Sequence, residues 1–454
     1  MLLNPLENFD MKQLFATLLV GSMFLTVGLL LYKTQSPRII KVSNHEELFK
    51  AIKTAPEGST VFLAPGTYHL TETLILDKTL HFAGEGVTCD EVVIKSTVTD
   101  TKGAPGDQPQ ALYLLNGNSR FRNMTFHFVS QADKPNHSSC IAVFGGKPQF
   151  FNVDIGSDGA RAIWIAAGSQ GSSFKDCRIK SHYGEIEKDV DNKTYGSIMV
   201  LSKAQFENCE VQGDRGISIH AGSKSYFKSC TVYGSKYYGV HVSADSQQIT
   251  HATFDQCTIR DNTGPGIKVS QNGAVDMNDC LLHGNGVGAL LEYNEGASAT
   301  IKKSEFRHNV YKGIHIAIEN SNHPSTNKAA FQIMECKIFS NGRNAAGTST
   351  GAPDGVDLDP NTCVILRDCT ISDNARHGLV IRENAFAEVE GCKIIDNFAI
   401  GICLWPENGS GIFNSNTLSG NNLRMEKEAD RQQWYIVKRG NVQGTNNTPP
   451  IPKQ

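Results

Sequence analysis

Apolar and polar residues alternate in two short bursts between Phe254 and Val269: Phe-x-x-Cys-x-Ile, then Arg-Asp-Asn, then a Gly-Pro-Gly turn, then Ile-x-Val. The same arrangement returns as Ile333-x-x-Cys336-x-Ile338 with Asn341, and as Leu366-x-x-Cys369-x-Ile371 with Asn374 and Gly378-Leu-x-Ile381. It returns again as Val389-x-x-Cys392-x-Ile394 with Asn397 and Gly401-Ile-x-Leu404. A period of two puts every second side chain on one face, so each burst predicts a short strand rather than helix. One structural unit is written many times.

With the small or Cys position as register mark, the series runs Met124, Val153, Cys177, Cys209, Cys230, Cys257, Cys280, Ser304, Cys336, Cys369, Cys392 and Asn416. Spacings run from 21 residues (Cys209 to Cys230) to 33 (Cys336 to Cys369). That is too short for a propeller blade, and the 3.6 period of helical repeats is missing. The predicted fold is all-β: a right-handed parallel β-helix solenoid of about twelve coils, roughly 55 to 60 Å long at about 4.8 Å per coil. Five residues after the mark stand Asn262, Asn285, Asn309, Asn341, Asn374, Asn397 and Asn421. An amide recurring at one corner can satisfy turn backbone groups and tolerates the left-handed conformation, which predicts an Asn ladder.

The flanks read differently. Residues 1–40 carry an uncharged apolar stretch between Lys12 and Lys33, long enough to cross a bilayer, and this predicts a transmembrane or signal-anchor helix ahead of the solenoid. No Ala-x-Ala-like site precedes Tyr32, which favours an uncleaved anchor. Lys33, Arg38 and Lys41 outweigh Lys12 and point the domain to the cytoplasm, whereas a start at Met11 opens like a bacterial export signal. Ser43-Asn-His-Glu46 is a capping-box pattern before Leu48, Phe49 and Ile52, which predicts a short helix plugging the first coil of a solenoid spanning 41–425. Residues 426–454 read as a C-terminal cap, with a short helix over Met425 to Arg431, followed by a polar, Pro-rich disordered tail from Thr445 to Gln454.

Composition adds two constraints. A net charge of −3 over 454 residues gives no basis for nucleic-acid binding. Eight of the twelve cysteines occupy the inward register position, so they predict a column of free buried thiols rather than a disulfide framework. Neither Cys-x-x-Cys nor His-Glu-x-x-His occurs, which removes the usual zinc patterns. Long polar departures from the period, Thr99 to Gln110, Ser130 to Ser139, His182 to Tyr195, Asn320 to Asn327 and Gly342 to Pro353, are predicted loops on the outside, where function collects.

These repeats resemble the pectin-lyase-like right-handed β-helix superfamily, the carbohydrate-binding and sugar-hydrolase repeat type, over roughly residues 40 to 425. The resemblance implies an exported protein, periplasmic or on the cell surface, that binds or modifies polysaccharide. The chain lacks the Asp-Pro-His of alginate epimerases and the Gly-His-Gly of polygalacturonases, and Cys177-Arg-Ile-Lys180 matches the latter's Arg-Ile-Lys only as ordinary repeat.

Alternation in the Gly-φ-x-φ strands sends x outward, so one outward column reads Ser218, His241, Lys268, Leu290, His315, Asp357, Val380, Cys403. The next reads His220, Ser243, Ser270, Glu292, Ala317, Asp359, Arg382, Trp405. His315, Asp357, Asp359, Arg382 and Glu292 are thereby predicted to form one patch, extended by His241 and Lys268. Elimination or C5 epimerisation of a uronate needs a cation on the carboxylate, a role for Arg382 or Lys268, and a base, a role for His315. Hydrolysis needs two carboxylates, Asp357 with Asp359 or Glu292. His315, Asp357, Asp359 and Arg382 are the catalytic candidates; His241, Lys268, Glu292 and Trp405 are the substrate-binding candidates. Calcium on Asp354, Asp357 and Asp359 is the cofactor reading. Tyr113, Trp164 and Trp405 face outward, either to stack on a sugar or to pack under a loop. The alternative function is a non-catalytic binding module or scaffold; a cytoplasmic interaction module comes third, since no F-box pattern precedes the repeats.

Overall fold

Each coil bends at a residue held in the left-handed backbone region, and the register mark follows it. Asn123, Asn152, Asp176, Asn208, Ser229, Gln256, Asp279, Lys303, Glu335, Asp368, Gly391 and Ser415 have φ between 49° and 64°. Asn, Asp and Gly tolerate this region best and fill seven of the twelve places. The structure, a computed structural model, describes residues 36–98, 109–130, 138–182, 196–244, 248–292, 296–318, 330–342, 352–405, 409–423, 425, 432–436 and 442–452. The long insertions expected to carry loops lie largely outside the described residues.

The bend exposes a carbonyl two residues before the mark, and the mark's side chain caps it. All eight register cysteines place Sγ 3.2 to 3.4 Å from that oxygen. Ser304 donates its hydroxyl to Lys302 O at 2.8 Å. Cysteine suits the place because it is small, apolar and still a weak donor. All twelve cysteines are free and buried.

The second corner holds the Asn ladder. Asn285 donates Nδ2 to Ile259 O at 2.9 Å, while its Oδ1 accepts from the Nδ2 of Asn262 at 2.8 Å. The chain of amides continues through Asn309, Asn341, Asn374, Asn397 and Asn421 and ends on the side chain of Gln433. These amides are 0–1% exposed, so no water substitutes for a lost partner.

Strands pair in parallel. The Gly-φ-x-φ strands form a fourteen-stranded sheet in chain order, from Leu74–Leu76 to Trp434–Ile436. Two strands, Leu74–Leu76 and Gln110–Leu114, precede those tied to the twelve marks. The kinked strands on either side of the marks make the second sheet, twenty-eight strands running as two adjacent ladders. Inside it Phe82, Phe121, Phe150, Phe174, Phe206, Phe227 and Phe254 stack with centroids 4.7 to 5.1 Å apart and planes within 10°. The column then passes to Met277, Ile301, Ile333, Leu366 and Val389.

The N-terminal plug is the helix His45–Thr54. Its cap is Asn44, one residue later than the pattern indicated: Asn44 Oδ1 accepts from Glu47 N, and the Glu47 carboxylate reaches back to Ser43 N. Leu48, Ala51 and Ile52 are buried against the first coil.

Two expectations are corrected. The described chain contains this one ten-residue α-helix, and no helix among the described residues is long and apolar enough to cross a membrane. Among the described residues the fold is thus the solenoid alone, with no transmembrane or signal-anchor helix; the Lys12 to Lys33 stretch lies outside the described residues, as does nearly all of the expected helix over Met425 to Arg431. The tail is the second. Trp434–Ile436 and Val442–Gln443 add strands to the two sheets, Thr448 bridges Thr417, and Asn447 Oδ1 accepts from Asn416 Nδ2 at 3.0 Å.

Replacing Asn341 or Asn374 with Ala should lower stability by about 1 to 3 kcal/mol, because buried main-chain groups and the adjoining amide lose a partner. The midpoint of denaturant unfolding measures this, and an unshifted midpoint in both variants contradicts a buried ladder. A thiol reagent should label none of the twelve cysteines of the folded chain at neutral pH and all of them in guanidinium.

Candidate functional site

The outward columns of the fourteen-stranded sheet follow the alternation. His241, Lys268, Leu290, His315, Asp357, Val380 and Cys403 are successive cross-strand partners. Asp357 is the centre. It is 0% exposed, yet carries a charge held by two cations: Arg382 Nε and Nη2 reach its oxygens at 3.0 and 2.9 Å, and Lys312 Nζ lies 2.6 Å away. Burial alone raises the Asp357 pKa, but the Arg382 hydrogen bonds and the Lys312 charge outweigh it and hold the carboxyl below the usual range. Arg382 is held protonated in turn, its hydrogen bonds to Asp357 exceeding the cost of desolvation.

His315 stands beside this pair. Its Nε2 lies 3.1 Å from Asp359 Oδ1, at an angle that makes no hydrogen bond, so the contact is an ion pair when the ring is protonated. Asp359 also lies 3.8 Å from Arg382 Nε. One ligand atom each from His315, Asp357 and Asp359 falls within 4.8 Å of the others. The donor set among the described residues is thus one imidazole and two carboxylates rather than the three carboxylates anticipated for calcium. Asp354 is paired separately: it is buried, accepts from Arg376 Nε at 2.7 Å and from His377 N at 3.0 Å. Hard oxygen ligands committed to guanidinium and ammonium groups fit calcium poorly.

Lys268 and Glu292 pair at 2.7 Å, next to the patch but separated from His315 in the first column by Leu290. His241 does not join the patch. It is buried three coils away, with Nε2 2.7 Å from Ser270 Oγ and its ring beside those of His220 and Tyr238. Of the three aromatics, Trp405 alone is open, 53% exposed beyond Arg382. Tyr113 is fully buried against Phe144 at 4.7 Å, and burial pushes its phenol up to about 12; Trp164 packs edge-on to Phe144.

Alternation missed Lys312 and Arg376 because they stand in the turns just before the strands, where a period of two no longer assigns a face. Their signal was a charge directly ahead of a Gly-φ-x-φ strand: Lys312 before Gly313, Asp354 before Gly355, Arg376 two before Gly378. Four carboxylates (Asp354, Asp357, Asp359, Glu292) thus meet four cations (Lys268, Lys312, Arg376, Arg382). Asp357 is ionised and enclosed, so it cannot serve as the acid of a hydrolytic pair; its geometry instead fixes the Arg382 guanidinium beside His315.

A parallel β-helix carrying a charged patch on its Gly-φ-x-φ face is a member of a solenoid class. The chain matches the family described as right handed beta helix region over residues 110–297 and 291–448, and it belongs to that family. The superfamily resemblance is thereby confirmed at the level of fold. No curated protein matches the chain in sequence. Among solved structures it is similar to the A-module of the mannuronan C-5 epimerase AlgE6 of Azotobacter vinelandii, at 13% identity and TM-score 0.44 over 90% of this chain and 95% of that one. It is also similar to pectate lyase Pel9A, at 16% identity and TM-score 0.36 over 74% and 77% of the two chains. The PL6 family polysaccharide lyase Pedsa3628 of Pseudopedobacter saltans gives 11% identity and TM-score 0.39 over 90% and 92%.

Asp357→Asn should destabilise the chain by about 3 kcal/mol at neutral pH, since two cations lose their buried counter-charge. The folded pKa of Asp357 is depressed, so its contribution is full above the ordinary carboxylate range near 3.9 and is lost as pH falls through the lower folded value. Unfolding curves of parent and variant should therefore converge below about pH 4; a constant difference at all pH values contradicts an ionised Asp357.

Proposed function

We propose that this protein binds an acidic polysaccharide along the Gly-φ-x-φ face and acts on it by proton transfer at a uronate, as an elimination or a C5 epimerisation. The observation that carries the reading is the joint placement of His315 and Arg382 around the buried Asp357. Abstraction of the proton next to a carboxylate needs a base and a donor that takes up the charge developing on the carboxylate. His315 is the base. Arg382 spends Nε and Nη2 on Asp357, and the other amino group of its fork is left for the substrate carboxylate, with the guanidinium plane already fixed. Asp359, 3.1 Å from His315 Nε2, stands ready to pair with the imidazolium that proton abstraction forms. Trp405, exposed in the same outward column, offers a face for the next sugar ring.

A second reading, binding without turnover, has one observation in its favour: the charges of the patch are paired with each other. The two separate experimentally. His315→Ala should leave affinity for pectate or alginate within about twofold and lower product formation by about 100 to 10,000-fold, read as ultraviolet absorbance of unsaturated ends or as altered uronate composition. Arg382→Ala should weaken binding by about 1.5 to 3 kcal/mol. A parent chain that binds these polymers and forms neither product establishes the second reading.

A further inference from the structure

A groove lies on another face of the solenoid, over Gly156. This glycine stands within the strand Gln149–Asp158, in the outward column His127, Gly156, Lys180, Gln212, Tyr233, Arg260. Every other member is large, and the gap is a groove of about 380 Å³. Nothing in the fold requires glycine there. Its φ is not positive, and an added Cβ would meet nothing nearer than His127 Cδ2 at 3.4 Å, an ordinary contact. At Gly145, by contrast, a Cβ would lie 1.9 Å from Leu115 O. Glycine inside a strand weakens it, so one that neither conformation nor packing demands marks a place where something else approaches the backbone.

The walls are fixed by their own contacts. Arg178 Nε donates to Asp154 at 2.9 Å, the Tyr233 hydroxyl donates to Glu210 at 2.7 Å, and His127 Nε2 lies 3.0 Å from Asp158. The Arg260 guanidinium covers one face of the Tyr233 ring at 4.4 Å. Two lining groups, the Lys180 ammonium and the Gln212 amide, have no hydrogen bond or ion pair among the described residues. They supply one positive charge, donors in excess and one amide acceptor. A hydroxylated ligand with a single anionic group matches that set, and the groove has the volume of a small-ligand site.

We propose that the groove over Gly156 is a second saccharide site, holding an acidic sugar unit with its carboxylate on Lys180 and its hydroxyls on Gln212 and Glu210. The inference rests on the acidic-glycan reading for its ligand class and on separate residues for its location. The groove lies six coils from His315, about 30 Å along the axis, and on the other sheet, so one long polymer can engage both and be retained between events.

The test is calorimetric titration of the full chain with short oligogalacturonate and oligoalginate, with a cello-oligosaccharide as the neutral control. Gly156→Gln fills the groove, Lys180→Gln removes its charge, and Trp405→Ala alters the other face. The parent should show two sites for the acidic probes and none for the neutral one. Gly156→Gln and Lys180→Gln should each weaken one site about tenfold or more, with the thermal midpoint unchanged. If Gly156→Gln proves unstable, the exposed Lys180→Gln decides. Binding lost in these two variants but not in Trp405→Ala supports the second site and tells against the site around His315. Binding lost only in Trp405→Ala overturns the second site and leaves the proposed function standing. A parent that binds neither acidic probe overturns both.

Discussion

Every buried corner of a solenoid must find partners for the main-chain groups that the turn uncovers, and this requirement organises the whole chain. A strand pairs with the coils above and below it, but the residues at a bend cannot, and an orphaned buried donor or acceptor costs about 1 to 3 kcal/mol. Here the debt falls on two side-chain columns. At one corner a thiol caps the carbonyl two residues back; at the other an amide bonds to a carbonyl and to the next amide. The amide column works only if repeated in register, since each Asn serves its neighbour as well as itself. That is why the loops vary freely in length while the spacing from mark to Asn stays fixed.

Because the corners and the apolar interior hold the coils together, outward positions are released from most structural duty. The polar patch around Asp357 occupies such positions, and its parts come from consecutive coils: His315 from one, Asp357 and Asp359 from the next, Arg382 from the one after. Groups far apart in the chain are thereby set at strand spacing on a rigid support, with Lys312 and Arg376 added from the turns just ahead of the strands. The groove over Gly156 is made the same way on the other sheet, with one residue of a column reduced to nothing.

Much of this was legible in the sequence because a period-two pattern repeated a dozen times overdetermines the register. The inward thiols, the Asn ladder and the outward column from His241 to Cys403 all followed from counting. What escaped was information that a strand period does not contain. Lys312 and Arg376 lie in turns, where facing is set by the path of the loop. His241 kept its place in the column but lies buried beside His220 and Tyr238 rather than open to a ligand. Whether Tyr113 or Trp405 is exposed was equally undetermined, since both occupy outward positions and only packing against Phe144 separates them. The phenylalanine stack was readable in principle from Phe150, Phe174, Phe206, Phe227 and Phe254, each three residues before a mark, but an apolar column by itself says nothing of ring geometry. The C-terminal stretch misled through composition: a Pro-rich polar segment can still pair when an open sheet edge lies next to it, as Thr448 does with Thr417.

The strongest reason to regard the Asp357 cluster as more than a solvated face lies in its own column. Val380 and Cys403 are its neighbours on the following coils, both apolar and both buried. The column therefore accepts an uncharged buried side chain without difficulty. Enclosing a carboxylate there requires desolvating it and recruiting Lys312 and Arg382 to compensate, and such buried ion pairs contribute little net stability beside apolar residues of similar volume. Folding alone would be served as well by another valine. What the charge accomplishes that valine cannot is to fix a guanidinium, with donors to spare, beside an imidazole, and that is the arrangement the proposed proton transfer at a uronate requires.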